Sequence, residues 1–360
     1  MDTVSLASLT TFKIGGKARH FFPIKEERDI REAISFAAKK HLPIFVLGGG
    51  SNVLVSDEGF SGVVIYVATS GISYEEKGGA TFSRAAAGVS WDTFVADTVS
   101  RGLWGLENLS GIPGTVGAAP IQNIGAYGAE AKDSIESVRA LDMRTGKEKI
   151  FSNTDCKFEY RDSFFKSVEG KNFIVTEVTF RLSKEPKPNI SYKDLKEYFG
   201  EPQEAQVFSL RNASALTRRS VAAGSVLARK PVLPAIREAV LEIRSKKFPD
   251  LSKVGTAGSF FKNPVISKEH FEKLKTKYPD TPFFAAKNGV KVPLAFILDK
   301  ICGLKGFKKG SVELFANQPL VLINQGGATA KDIKNFSAEI KKIVKEKTNI
   351  DIEEEVVFIS

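Results

Sequence analysis

Residues 106–130, LENLSGIPGTVGAAPIQNIGAYGAE, constrain this chain more tightly than any other stretch. Gly111, Gly114, Gly117, Gly125 and Gly128, with Ala118 and Ala119, leave almost no side-chain bulk. So much glycine disfavours a helix, and the pattern is too irregular for a strand. A structureless surface loop of this length is uncommon in a compact domain. Backbone this bare suits close packing against a flat ligand; the alternative is an elaborate crossover loop. A second glycine run, LGGGSN (47–52), joins two predicted strands. Its glycines permit positive φ, and successive N–H groups can cradle an anion, with Ser51 and Asn52 adding side-chain hydrogen bonds. It is neither a Walker A loop, since no Gly-Lys-Ser/Thr follows, nor a GxGxxG turn before a helix, since VLV follows. A tight structural turn is the other reading. Two such loops on separate α/β units suggest one phosphate-bearing cofactor held between them.

The rest of the chain alternates helices with strands. Ile30, Ala33, Ile34, Ala37 and Ala38 share one face of a helix predicted over 28–41, which Pro43 ends. PIFVLG (43–48) is predicted to be a buried strand and GVVIYV (62–67) the next, giving a small α/β unit. FSRAAAGV (82–89) predicts a strand, followed by a helix capped by Ser90. A hairpin is predicted over 135–151 around RTGKE and a strand over 171–182. Pro186 and Pro188 mark a boundary. Residues 211–230 contain Arg211, Arg218, Arg219, Arg229 and Lys230 and no acid, and predict a mobile basic loop or a short added helix. Helices over 234–247, 267–277, 293–301 and 329–346 then alternate with strands PLVLIN (319–324) and IEEEVVFIS (352–360), again an α/β pattern.

Composition narrows the function classes. The chain has 360 residues, 42% of them apolar and 26% charged, as in a soluble globular protein of two or three domains. The net charge of +10 suits anionic small molecules as well as nucleic acid. Lysines alternate with acids along predicted helices (FEKLKTKY, EIKKIVKEK), and no zinc finger or RNA-recognition signature is present, so nucleic acid is not expected. The apolar runs are strand-length, so no membrane span is expected. The start lacks the pattern of a signal peptide. Cys156 and Cys302 lie far apart, with no metal-ligand cluster, which points to free core thiols, no bound metal and a reducing cytoplasm.

Ser259, in GTAGSFFKNP, looks like part of a site, yet the chain has only His20, His41 and His270 to offer a serine nucleophile. In FEYRDSFFK, Arg161 is suited to bidentate carboxylate or phosphate recognition, unless it merely pairs with Asp162. In IEEEVVFIS, strand alternation puts Glu353 and Glu355 on one face and Glu354 on the other.

Taken in order, TTFKIGG, LGGGSN, GLENLSGIPGTVGAAPIQNIGAYG, YRDSFFK, GTAGSFFKNP and IEEEVVF closely resemble the UDP-N-acetylenolpyruvoylglucosamine reductase family, over nearly the whole chain. The resemblance implies an α+β protein. Residues 1–67 and 68–184 would be the two α/β subdomains of a vanillyl-alcohol-oxidase (PCMH) type FAD-binding fold. Residues 185–232 would be a loop and basic insertion, and 233–360 a substrate-binding domain. It implies non-covalent FAD, NADPH as reductant, and a nucleotide-sugar substrate, UDP-N-acetylglucosamine enolpyruvate, reduced to UDP-N-acetylmuramate by a cytoplasmic monomer. Ser259 would donate a proton, Arg161 would hold the substrate carboxylate, and Glu355 would polarise it or relay the proton. Because an ordinary serine is a very poor acid, it serves only where the acceptor is strongly basic and water is excluded. Glu355 helps an enolate only if its pKa is raised. Flavin contacts would come from Gly48, Gly49, Gly50, Ser51, Asn52, Ile112, Pro113, Gly114, Gly117 and Ala118. Substrate contacts would come from Tyr127, Tyr160, Tyr192, Lys247, Asn263 and Gln318. Two departures stand out. The segment between Tyr192 and the helix ending at Lys247 is longer than the family pattern, and Glu354 stands where the family often has proline. Two competing readings are another flavin oxidoreductase on the same fold and a basic nucleotide-binding protein without chemistry.

Overall fold

The computed structural model describes residues 4–200 and 231–360, so the basic stretch 211–230 lies outside the described residues. Strands Val4–Ser5, Lys17–Ile24, Phe60–Val67 and Ile44–Leu47 form one sheet in that order. Lys17–Ile24 and Ile44–Leu47 both run parallel to Phe60–Val67, and helix Glu27–Lys40 makes the crossover between them. Ile30, Ala33 and Ala37 are the buried residues of that helix. The helix ends one turn before Pro43 could end it: His41 takes a left-handed φ of 53° and its amide turns back to the carbonyls of Ala37 and Ala38. The strand expected to be buried at 43–48 is half-buried, with only Leu47 fully covered, because it sits at the sheet edge.

The glycine loop after Leu47 leaves this sheet. Strand Val53–Val55 pairs in parallel with the last strand, Val357–Ile359, so the C-terminal end of the chain docks on the N-terminal unit. That pairing is invisible to a local reading of GGGSNVLV.

Strands Glu148–Ser152, Ile135–Asp142, Phe173–Leu182, Ala80–Ala86 and Ile72–Lys77 build an antiparallel sheet in that order. Helix Trp91–Ser100 packs on it through Trp91 and Phe94, both in ring contact with Phe180. Ser90 holds the N-cap position, but its hydroxyl makes no capping bond; the Trp91 amide donates instead to the carbonyl of Gly114. The glycine-rich segment thereby closes the helix start. One apolar core, including Ile24, Val63, Phe94 and Phe180, runs through both sheets.

The final third departs from the expected α/β alternation. Apart from Val357–Ile359, its strands are two or three residues long and antiparallel: Val265–Ile266, Gly289–Lys291 and Phe284–Ala286 in one sheet, Lys308–Lys309, Val312–Leu314 and Leu322–Asn324 in another. Strands this short, turned back by hairpins, do not make crossover units. Helices Lys268–Lys277 and Ala330–Thr348 flank them, and Leu294–Phe296 runs on into a π turn, Ile297–Ile301. Phe12, Ile14 and Leu54 of the N-terminal unit lie in this core. The Asp57 carboxylate accepts from the amides of Ala330 and Lys331, capping the last helix from the first unit. Cys156 and Cys302 are free and buried, and burial pushes the Cys156 thiol up to about 12.

Candidate active site

The two glycine stretches form one surface. A Cβ on Gly49 would lie 2.8 Å from Gly114 Cα, and one on Gly48 would lie 2.7 Å from Thr115 Oγ1. Gly50 has φ 61°, and a Cβ there would fall 2.0 Å from the Leu9 carbonyl oxygen. Gly117 is pressed equally close to Ala87, 2.5 Å from a Cβ to Ala87 Cβ. Ser51 Oγ donates to the Pro113 carbonyl at 2.9 Å, stitching the loops together. The amides of Gly49, Gly50 and Ser51 donate to no group among the described residues, while Ile112, Gly114 and Ala118 keep partial exposure. A bare surface edged by unused amides fits a flat cofactor with a phosphate-bearing chain. Asn52 also ties the loop to the rest of the protein. Its Nδ2 donates to Gln122 Oε1 at 2.6 Å and to the Glu355 carbonyl at 3.2 Å, and its own carbonyl accepts from Val357. Gly49→Ala is therefore expected to force the loops apart, at a cost of about 1–3 kcal/mol by analogy with overpacked cores. Absorbance per protein after desalting should show the variant losing the flavin that the resemblance implies.

Next to this surface, joined to it by the Asn52–Glu355 bond, lies a largely buried charge pair. Arg161 Nε stands 3.1 Å from Glu355 Oε1, with the two side chains 21% and 10% exposed. Asp162, the sequence neighbour, is not the partner; its backbone closes a tight turn with Glu159. That turn gives Arg161 a left-handed φ of 55°, and its Nη2 donates to the Gly125 carbonyl at 2.7 Å. Glu355 arrives on an extended segment beside Ser259: its amide donates to the Phe260 carbonyl, and the Lys262 amide donates to the Glu353 carbonyl. Regular strand begins only at Val357, yet the three acids diverge as alternation predicts. Glu354 bonds Ser337 and Lys341 on one side, while exposed Glu353 meets Lys262. Burial raises the Glu355 carboxyl above the ordinary range; Arg161, Lys166 and Lys262 pull it down, and burial prevails.

Ser259 is half-buried, bridged by backbone to Val321, and its hydroxyl makes no hydrogen bond among the described residues. Tyr160 Oη accepts from Asn263 Nδ2 at 3.2 Å, and Asn263 Oδ1 accepts from the Leu294 amide at 2.9 Å. Gln318 presents a buried Oε1 without a partner among the described residues, an acceptor left for a ligand. A second group lies beyond Gly125. Tyr127 (φ 48°) is buried, its phenol pushed up to about 12 by that burial, and packs edge-on against half-exposed Tyr192. Burial raises the Tyr192 phenol as well. Lys247 pairs with Asp194, two residues past Tyr192. The structure thus gathers Arg161, Glu355, Tyr160 and Asn263 around the Ser259 segment, and sets Tyr127, Tyr192 and Lys247 in a neighbouring group.

Sequence reading passed over four residues of this region: Gln122, Lys166, Lys262 and Arg244. Lys166 and Lys262 each close an SFFK run, a repeat visible in the sequence. Arg244 is partly buried, donates from Nε to the Gly111 carbonyl at 3.0 Å, and loses basicity through that burial. It sits in a run that reads as an ordinary charged helix end, so nothing local marks it.

Residues 18–152 match the family model of an FAD binding domain, and residues 250–359 match UDP-N-acetylenolpyruvoylglucosamine reductase, C-terminal domain. A protein of Bdellovibrio bacteriovorus named UDP-N-acetylenolpyruvoylglucosamine reductase is 38% identical over 353 residues, covering 98% of this chain and 97% of its own. One of the same name from Paraburkholderia xenovorans is 38% identical over 356 residues, covering 98% and 96%. The crystal structure of UDP-N-acetylenolpyruvylglucosamine reductase from Thermus caldophilus matches with a TM-score of 0.66 at 24% identity, over 100% of this chain and 98% of that one, and shares the fold.

Proposed function

The chain belongs to the UDP-N-acetylenolpyruvoylglucosamine reductase family, and on that premise we propose that it reduces UDP-N-acetylglucosamine enolpyruvate to UDP-N-acetylmuramate at the expense of NADPH. The cofactor is FAD, and the fold is the family's α+β arrangement with a PCMH-type FAD-binding portion. Bound FAD supplies hydride transfer from NADPH to the enolpyruvyl double bond. We divide the chain into FAD-binding subdomains 1–67 and 68–184, a connecting segment 185–232, and a substrate domain 233–360. Among the described residues no helix is long and apolar enough to cross a membrane. A nucleotide-sugar substrate suits a cytoplasmic enzyme acting as a monomer.

The observation that carries this reading is the largely buried Arg161–Glu355 pair beside the segment of Ser259. Hydride added to one alkene carbon leaves enolate character at the carbon next to the carboxylate, which must then gain a proton. Arg161 offers a guanidinium fork to that carboxylate. Ser259 offers the proton from a hydroxyl with no competing partner among the described residues. Glu355, its carboxyl raised by burial, is suited to share a proton rather than repel the enolate. Gln318, Asn263 and Tyr160 would hold the sugar side, and Lys247 would exchange Asp194 for a phosphate.

The test is anaerobic. The FAD-loaded protein is bleached with NADPH, UDP-N-acetylglucosamine enolpyruvate is added, and the oxidised flavin spectrum is followed. Rapid return of the yellow form is expected. A protein that bleaches but is never reoxidised by this compound would retain its cofactor assignment and lose its substrate.

A further inference from the structure

Lys166 has no role in the chemistry above, yet it is built into the charge pair. It ends the short 3-10 turn Phe164–Lys166, which Ser163 anchors: the Ser163 hydroxyl accepts from the Phe165 amide and donates to the Ile121 carbonyl at 2.6 Å. From there the half-buried Lys166 ammonium donates to the Arg161 carbonyl at 2.9 Å. No carboxylate lies within ion-pair distance of it among the described residues. A partly buried ammonium with one neutral acceptor is an expensive arrangement for stability alone. Burial and the like charge of Lys262 accordingly lower its basicity.

Its single acceptor belongs to a residue with a left-handed backbone. Arg161 is not glycine and holds φ 55°, a strained conformation that persists only where its surroundings fix it. The amide side of that residue is held by the turn between Glu159 and Asp162; the carbonyl side is held by Lys166. The Arg161 guanidinium can face both Gly125 and Glu355 only while this backbone is kept. The charges facing Glu355 are those of Arg161, Lys166 and Lys262, and Lys262 is also engaged by Glu353.

We propose that Lys166 is a positioning residue for the Arg161–Glu355 pair: its ammonium clamps the Arg161 carbonyl to keep the guanidinium aimed at Glu355, and adds a further positive charge to the surroundings of that carboxylate. This rests on the proposed function only for its kinetic consequence; the geometric and electrostatic parts stand on the protein itself.

The experiment uses FAD-loaded wild type, Lys166→Met and Lys166→Arg. Glu355 is titrated by carboxyl-labelled NMR, its signal identified by its disappearance in Glu355→Gln. In Lys166→Met the Glu355 midpoint should move upward by about one pH unit, as expected for losing a nearby cation. Lys166→Arg should keep it near the wild-type value. Reoxidation of the NADPH-bleached enzyme should slow at least tenfold in Lys166→Met, with most of the rate restored in Lys166→Arg. An unmoved Glu355 titration in Lys166→Met overturns the electrostatic role. Arginine behaving as badly as methionine overturns it too, because then only the fit of the lysine stem matters. Should wild type fail to be reoxidised, the substrate reading falls while the titration still decides the role of Lys166.

Discussion

Ser259→Ala is expected to stay yellow, to bleach with NADPH at the wild-type rate, and to be reoxidised by UDP-N-acetylglucosamine enolpyruvate hardly at all. The substitution removes one hydroxyl from a half-buried position where that hydroxyl bonds nothing else among the described residues. Neighbouring backbone contacts, Phe260 to Leu320 and Glu355 to Phe260, do not depend on the side chain. The fold and the glycine surface should therefore survive, and the loss should fall on proton delivery alone. Loss of a positioned general acid costs roughly 10²–10⁴-fold, and the poor acidity of a serine hydroxyl leaves water a weak substitute in a closed site. No imidazole stands in for it: His270 Nε2 is engaged at the Thr348 carbonyl, His41 caps a surface helix, and His20 packs edge-on against Phe36 in the N-terminal unit. The measurement is a pair of stopped-flow half-reactions. A variant reoxidised within threefold of wild type would remove Ser259 from the mechanism. One that no longer bleaches would show that the serine serves the cofactor instead.

What the sequence discloses about this site follows from the range of the physics involved. Glycine is a local requirement, so Gly49, Gly50 and Gly114 announce themselves wherever a backbone must approach another or take positive φ. The helix over 28–41 is equally local, since apolar spacing alone orients its face. Pairing across the chain is not local. Nothing in YRDSFFK says that Arg161 will prefer Glu355 to Asp162, and nothing in GGGSNVLV says that Val53–Val55 will wait for the last strand. The resemblance to a known family supplied those long-range partners as residue roles, but not the contacts that enforce them. The left-handed backbones of Tyr127 and Arg161 were invisible because neither residue type signals positive φ. The clamp by Lys166 follows from one of them, and so was invisible too. Lys247 shows the converse: only the resemblance makes it a substrate contact, and the structure pairs it with the carboxylate of Asp194.

Arg161→Met is the second change with a large expected effect, and it separates catalysis from stability. Removing the guanidinium deletes the group offered to the substrate carboxylate, so reoxidation should fall by several orders of magnitude, as when a single preorganised charge contact is lost. It also leaves Glu355 buried without its nearest cation. Breaking a buried ion pair from one side costs about 3–5 kcal/mol when the other charge must remain. Glu355 has an escape: it can bind a proton, and its carboxyl already lies above the ordinary range. A carboxyl raised in the folded state contributes stability that is fully present below its unfolded value and is lost as pH rises through the folded one. Loss of Arg161 pushes the folded value higher still and widens that window upward. The variant should therefore approach wild-type stability at acidic pH, where Glu355 is protonated, and lose ground as pH rises past the raised Glu355 value, read as urea midpoints at each pH. Arg161→Met combined with Glu355→Gln should recover stability at the higher pH, because no charge is left behind, while activity stays lost. A pH-independent deficit in the single variant would mean that the cost comes from the packing of the arginine stem or from the left-handed turn, and that Glu355 is held by Lys166 and Lys262 without it.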